Sequence, residues 1–124
     1  MNVKRALTIA KRTSLLSPYR HQIGAVVMRK GKVISTGYNK KKSHPIVCAY
    51  NPLKTLHAEL DAILSCENKE LLNGATMFIF RQRRDGAPAL AHPCPICMEE
   101  IKKHKIRFIF YTIEEFPYWR KENV

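Results

Sequence analysis

His57, Glu59, Cys94 and Cys97 are the side chains of this sequence whose types and spacing can do chemistry. They fall in two short stretches, His57-Ala58-Glu59 and Pro93-Cys94-Pro95-Ile96-Cys97, separated by 33 residues. One imidazole and two thiolates make a three-ligand zinc site, and three protein ligands leave the fourth tetrahedral position open to water. Glu59 is left over as a carboxylate able to move protons. Taken alone, a C-x-x-C is equally a structural zinc half-site or a redox pair, and an isolated H-x-E says almost nothing. Found in this order and spacing, they point to one reactive centre.

Both stretches fall at the starts of predicted helices. Leu56, Leu60, Ile63 and Leu64 repeat at helical spacing and predict a helix over 56–67, with Thr55 as its cap. Another helix begins at the second stretch, where proline is tolerated in the first turn, and ends near Lys103-His104-Lys105. Cys94 and Cys97, three apart, share a face of that first turn. The partial positive charge of a helix N-terminus favours the thiolates that zinc requires. His57 and Glu59 would diverge on the side of a helix, but both reach a point lying off its end.

The remaining elements frame these two. Residues 3–16 carry Val3, Leu7, Ala10 and Ser14 near one face, an amphipathic helix ended by Ser17-Pro18. Apolar runs at 23–28 and 33–38 flank Lys30-Gly31 and predict a hairpin. Residues 39–55 predict a long loop, of the kind that usually serves function. Asn73-Gly74 is a turn before a strand at 76–80. Residues 81–92 read as a polar loop with Asp85-Gly86 at its tip, and 106–113 as a strand. The order α-β-β-α-β-α-β with a short C-terminal tail predicts an α/β fold, a mixed sheet covered by helices.

The 124 residues suit one domain spanning 1–124, with a single hydrophobic core. No apolar run approaches the ~20 residues of a membrane span, and the first residues do not resemble a secretory signal. A soluble, cytoplasmic protein with no membrane partner is the expectation. Cys94 and Cys97 then stay reduced as metal ligands, while Cys48 reads as a loop cysteine and Cys66 as a half-buried helix cysteine. The net charge of +12 points to anionic partners. Lys40-Lys41-Lys42 precedes the first stretch and Arg81, Arg83 and Arg84 precede the second. A solvated surface and phosphate attraction are both open readings of these clusters.

The chemistry follows from the ligand set. Two thiolates bring the formal charge of a Zn²⁺ site near zero, so bound water is acidified less than by three imidazoles. A neighbouring base therefore helps: Glu59 can accept the water proton, and can then act as the acid that protonates the ring nitrogen and, in a further transfer, the departing amine. Hydrolysis at the amidine-like carbon of cytosine or adenine fits that sequence of transfers.

The two stretches match the H-x-E…P-C-x-x-C signature of zinc nucleobase deaminases. With Ile23-Gly24-Ala25-Val26-Val27 and Gly37-Tyr38-Asn39, the chain resembles the cytidine deaminase-like superfamily over residues 19–112, above all its small phage-type cytidine/deoxycytidylate members. The resemblance implies a three-layer fold with a mixed four- to five-stranded sheet flanked by helices. It implies Zn²⁺ on His57, Cys94 and Cys97, with Glu59 as catalytic proton shuttle. Substrate contacts would come from Asn39 and from backbone groups of Ala58 and Cys94; a simple turn residue is the competing reading of Asn39. His44, in Ser43-His44-Pro45, is a weaker candidate for facing a substrate phosphate. A homo-oligomer whose neighbours complete the pocket is also implied.

Residues 114–124 are too few for a helix followed by a fifth parallel strand. The last strand either returns directly as a short hairpin, as in the cytidine and blasticidin deaminase branch, or is missing. That departs from tRNA adenosine deaminases and favours cytosine. Phe116, Tyr118 and Trp119 either close over the pocket or cover a sheet edge. The expected function is zinc-dependent hydrolytic deamination of cytosine to uracil in a phosphate-bearing cytidine or deoxycytidine nucleotide. Alternatives are cytosine in single-stranded DNA or RNA, and a non-catalytic zinc module binding nucleic acid. A structural zinc site has no need of a non-ligand carboxylate, so Glu59 argues against the last.

Overall fold

The computed structural model describes residues 2–41 and 55–124. Helix α1, Val3–Ser14, starts at Asn2, whose side-chain oxygen accepts the Arg5 N–H at 3.0 Å. It stops two residues short of the expected end, leaving Leu15 and Leu16 58 % and 65 % exposed. Strands β1 (Gln22–Arg29) and β2 (Lys32–Tyr38) form the predicted hairpin, with positive φ at Lys30 and Gly31 in the turn. Short strands β3 (Lys40–Lys41) and β4 (Thr55–Leu56) pair antiparallel at the two ends of the predicted long loop. Most of that loop, with Lys42, His44 and Cys48, lies outside the described residues.

Helix α2 covers Ala58–Ser65, and His57 is its N-cap. Thr55 is therefore not the cap: pairing with β3 draws Thr55 and Leu56 into a strand and starts the helix later. Cys66 ends α2 and is fully buried, not half-buried, since its thiol turns inward to the Asn68 carbonyl. A 3₁₀ turn, Lys69–Leu72, leads into β5, Thr76–Gln82. This strand runs two residues further than the predicted one. Gln22 and Ile23 flank Gln82 and Arg81 on one side, and Pro88–Ala89 (β6) flank them on the other. The expected polar loop is thus a hairpin extending the sheet, with Gly86 at φ +85 near its tip. Helix α3 (Pro95–Lys103), β7 (Phe108–Thr112) and β8 (Trp119–Asn123) complete the chain.

The main sheet has the order β2-β1-β5-β7-β8, with β6 on β5. Among the described residues only β5 and β7 run parallel; every other pair is antiparallel. The last strand is present and returns directly, as one of the two expected alternatives had it. Strand side chains alternate between two faces. Ala25, Val27, Met77, Ile79, Ile109 and Tyr111 share a buried cluster with Ala58, Ala62 and Ile63 of α2 and Ile101 of α3. Val26, Met28, Phe78, Phe80 and Phe110 pack against Ala6, Leu7 and Ala10 of α1. The result is three layers: α1, the sheet, then α2 and α3.

Two glycines set how closely the helices approach. A Cβ on Gly24 would lie 2.0 Å from the Ala10 carbonyl oxygen, and one on Gly37 would lie 2.3 Å from the Ala62 nitrogen. The backbones of α1 and α2 therefore rest directly on the sheet, one on each face. Trp119 packs on Phe110 in the α1-side cluster, so it covers sheet and does not close a pocket. Phe116 and Tyr118 stay exposed in the turn before it. No helix among the described residues is long and apolar enough to cross a membrane.

Candidate active site

The two motif stretches meet at the N-terminal ends of α2 and α3. Cys94 is the N-cap of α3, as His57 is of α2, and Cys97 lies in the first turn. The His57 Nδ1 is 3.3 Å from the Cys97 Sγ and 3.6 Å from the Cys94 Sγ. All three donor atoms lie within 4.8 Å of one another. Tetrahedral zinc, with bonds of about 2.0–2.1 Å to nitrogen and about 2.3 Å to sulfur, sets such donors about 3.5 Å apart. The donors already have the spacing that zinc requires, and among the described residues no fourth His, Cys, Asp or Glu joins them. A position for water follows from a three-donor set.

The thiols are electronically unequal in the chain without metal. The Cys97 thiol donates to Cys94 and brings it down to about 5; the nearby His57 adds to this while burial opposes it. Cys97 goes the opposite way, raised by holding that shared proton and by burial. Glu59, in the first turn of α2, is only 5 % exposed. Burial pushes its carboxyl up, while its own backbone N–H and the adjacent His57 pull it down. A carboxyl that is buried, near the donors and not counted among them has the environment of a proton carrier.

Asn39, just after β2, is 7 % exposed, and its amide clips the start of β1. Its oxygen accepts the Ile23 N–H at 2.9 Å and its nitrogen donates to the His21 carbonyl at 2.7 Å. One amide hydrogen and one oxygen lone pair remain for another partner. Ala58, fully buried, opens α2 with one of the N–H groups a helix leaves without an internal acceptor. The Cys94 carbonyl accepts the Met98 N–H at 2.9 Å and keeps a second lone pair. His44 lies outside the described residues.

Asp61 belongs to the framework of the site and is not among the expected residues. Only 2 % exposed, it accepts the Tyr38 N–H at 3.1 Å and pairs with the Lys40 ammonium at 2.8 Å. It thus grips both neighbours of Asn39. Its signal in the sequence is an acid set between Leu60, Ala62 and Ile63, where burial demands a partner. Lys40 correspondingly leaves the pool of phosphate-attracting lysines, with its ammonium also 3.9 Å from the Tyr38 ring.

A sequence model of the family described as the cytidine and deoxycytidylate deaminase zinc-binding region matches residues 2–113. The chain belongs to this family. It is a zinc-dependent deaminase of the cytidine/deoxycytidylate type, and His57, Cys94 and Cys97 are positioned to hold the zinc. A deoxycytidylate deaminase of Mycobacterium phage D29 is 26 % identical over 114 residues, covering 77 % of this chain and 80 % of the relative. The fold of this deaminase is shared with solved structures. The dCMP deaminase of cyanophage S-TIM5 in apo form superposes with a TM-score of 0.69 at 23 % identity, covering 92 % of this chain and 84 % of that one. A cytidine deaminase from Burkholderia pseudomallei gives 0.72 at 20 % identity, covering 99 % and 93 %.

Proposed function

We propose that the chain hydrolyses the exocyclic amine of cytosine in a cytidine or deoxycytidine monophosphate, giving the uracil nucleotide and ammonia. The observation carrying this reading is the buried Glu59 beside a three-donor group with no fourth protein ligand among the described residues. Zinc, when bound, supplies the Lewis acidity that makes water a nucleophile near neutral pH. His57, Cys94 and Cys97 would hold it. Glu59 takes one proton from the attacking water and passes it to the ring nitrogen, then moves the remaining proton of the added hydroxyl to the leaving amine, so that ammonia departs as the carbonyl of uracil forms. The Ala58 N–H and Cys94 carbonyl bind the edge of the base, and the remaining amide hydrogen of Asn39 reaches the sugar.

The phage deoxycytidylate deaminase relative supports a monophosphate, as does the net charge of +12. One 1–124 domain acting in the cytoplasm as a homo-oligomer completes the reading; an ideal monomer in light scattering would remove the oligomer. The deciding experiment incubates zinc-loaded protein with dCMP, CMP, deoxycytidine, cytidine and cytosine-bearing single strands, and measures uracil formation. Fastest conversion of a monophosphate is the expected result. Conversion of strands alone, or of free nucleosides in preference to the monophosphates, overturns it.

A further inference from the structure

A cleft of about 450 Å³ has neither Glu59 nor any of the three zinc donors in its lining. Arg20 and His21 line it from the approach to β1, Arg81 from β5, and Arg83 and Arg84 from the hairpin beyond. Two links tie it to the reacting end of the sheet. The His21 carbonyl takes the amide hydrogen of Asn39, and Leu90, on the cleft wall, stands four residues before Cys94.

The charge arrangement is the informative part. Four guanidiniums converge on one concavity, and among the described residues none lies within 4.0 Å of a carboxylate. Glu114 is the lone acid in the lining. Arg81 reaches the Leu90 carbonyl at 3.5 Å and the His21 Nδ1 at 3.4 Å. The backbone beneath these arginines is hydrogen-bonded into the sheet and its hairpin. Arg81 pairs with Ile23 and Ala89 across two strands, and the Arg83 N–H donates to the Ala87 carbonyl at 2.8 Å. The Ala87 N–H in turn donates to the Asp85 carboxylate. Like charges held together on a fixed frame are unfavourable until an anion joins them, and the planar guanidinium fork matches phosphate oxygens.

We propose that this cleft is a subsite for two or more phosphoryl groups, separate from the three zinc donors and Glu59. A single phosphate would leave most of the four cations unmatched. The ligand is therefore a run of phosphates, either the phosphate chain of a nucleotide or the phosphodiesters of a single strand.

Zinc-loaded full-length protein is titrated with tripolyphosphate and, separately, with a short oligothymidylate, neither of which can be deaminated. Arg20→Ala/Arg84→Ala is compared with Lys4→Ala/Lys32→Ala, which removes the same charge at the opposite end of the sheet. The arginine pair should weaken probe binding by about tenfold or more, and the lysine pair far less. Equal losses in the two variants, or no binding by the wild type, overturn the proposal. Comparable affinity for both probes assigns the nucleotide phosphate chain, and strong preference for oligothymidylate assigns the strand; both support the subsite. Glu59→Gln protein should bind the probes like wild type, so failed deamination and an empty cleft remain separate results.

Discussion

Glu59 is costly to the fold for the same reason that it suits proton transfer. Burial raises its carboxyl in the metal-free chain, so the folded form holds the proton more tightly than the unfolded form does. This stabilisation is fully present below the ordinary value near 4.5 and is lost as pH rises through the raised one. Glu59→Gln should therefore leave the metal-free protein at least as stable as wild type at neutral pH, with a flatter pH dependence in denaturant titrations. The same substitution should reduce deamination by about 10²–10⁴-fold while zinc content stays unchanged. A variant that turned over at the wild-type rate would remove Glu59 from the proposed mechanism.

At the scale of elements, the site depends on how closely α2 rests on β2. Gly37→Ala would set a Cβ against the Ala62 nitrogen and Ala58 carbonyl, and α2 carries His57 and Glu59. Gly24→Ala makes a similar clash, but against α1, which bears no site residue. Both should destabilise by about 1–3 kcal/mol in denaturant unfolding. Only Gly37→Ala should also weaken zinc affinity and kcat; equal effects on both would show that α2 is not held by this contact. The starts of α1 and α3, the hairpin and the two reactive stretches were legible in the sequence because local spacing and turn residues encode them. Other features needed distant partners. Arg81–Gln82 became strand only through β1 and β6, Thr55–Leu56 only through β3, and Lys40 found Asp61 across the β2–α2 interval. No window of sequence contains both members of those pairs.

Over the whole molecule, charge and metal set the response to conditions. If phosphate attraction guides substrate, KM for dCMP should rise with added salt while KM for deoxycytidine stays nearly level. A parallel change in both would separate the positive charge from substrate capture. Zinc affinity should rise with pH across the neutral range, because the raised Cys97 thiol has to lose its proton before it can ligate. Competition with a chromophoric chelator at several pH values measures that slope, and a flat profile would contradict it. Excess zinc should also raise the unfolding free energy, by about 4 kcal/mol at a thousandfold its dissociation constant.

His57 and Cys94 occupy the two positions where serine or aspartate would ordinarily close a helix start, and neither side chain forms a capping bond. Each such closure is worth about 1 kcal/mol, so both helix starts are left dependent on a guest atom. The lifetime of the protein becomes a readout of its loading. Empty chains should show faster amide exchange over Ala58–Leu60 and Ile96–Met98, and should be cut sooner by a protease, than chains carrying zinc. Molecules unable to catalyse would then be the first removed, and the surviving population would be enriched in working enzyme without any separate inspector.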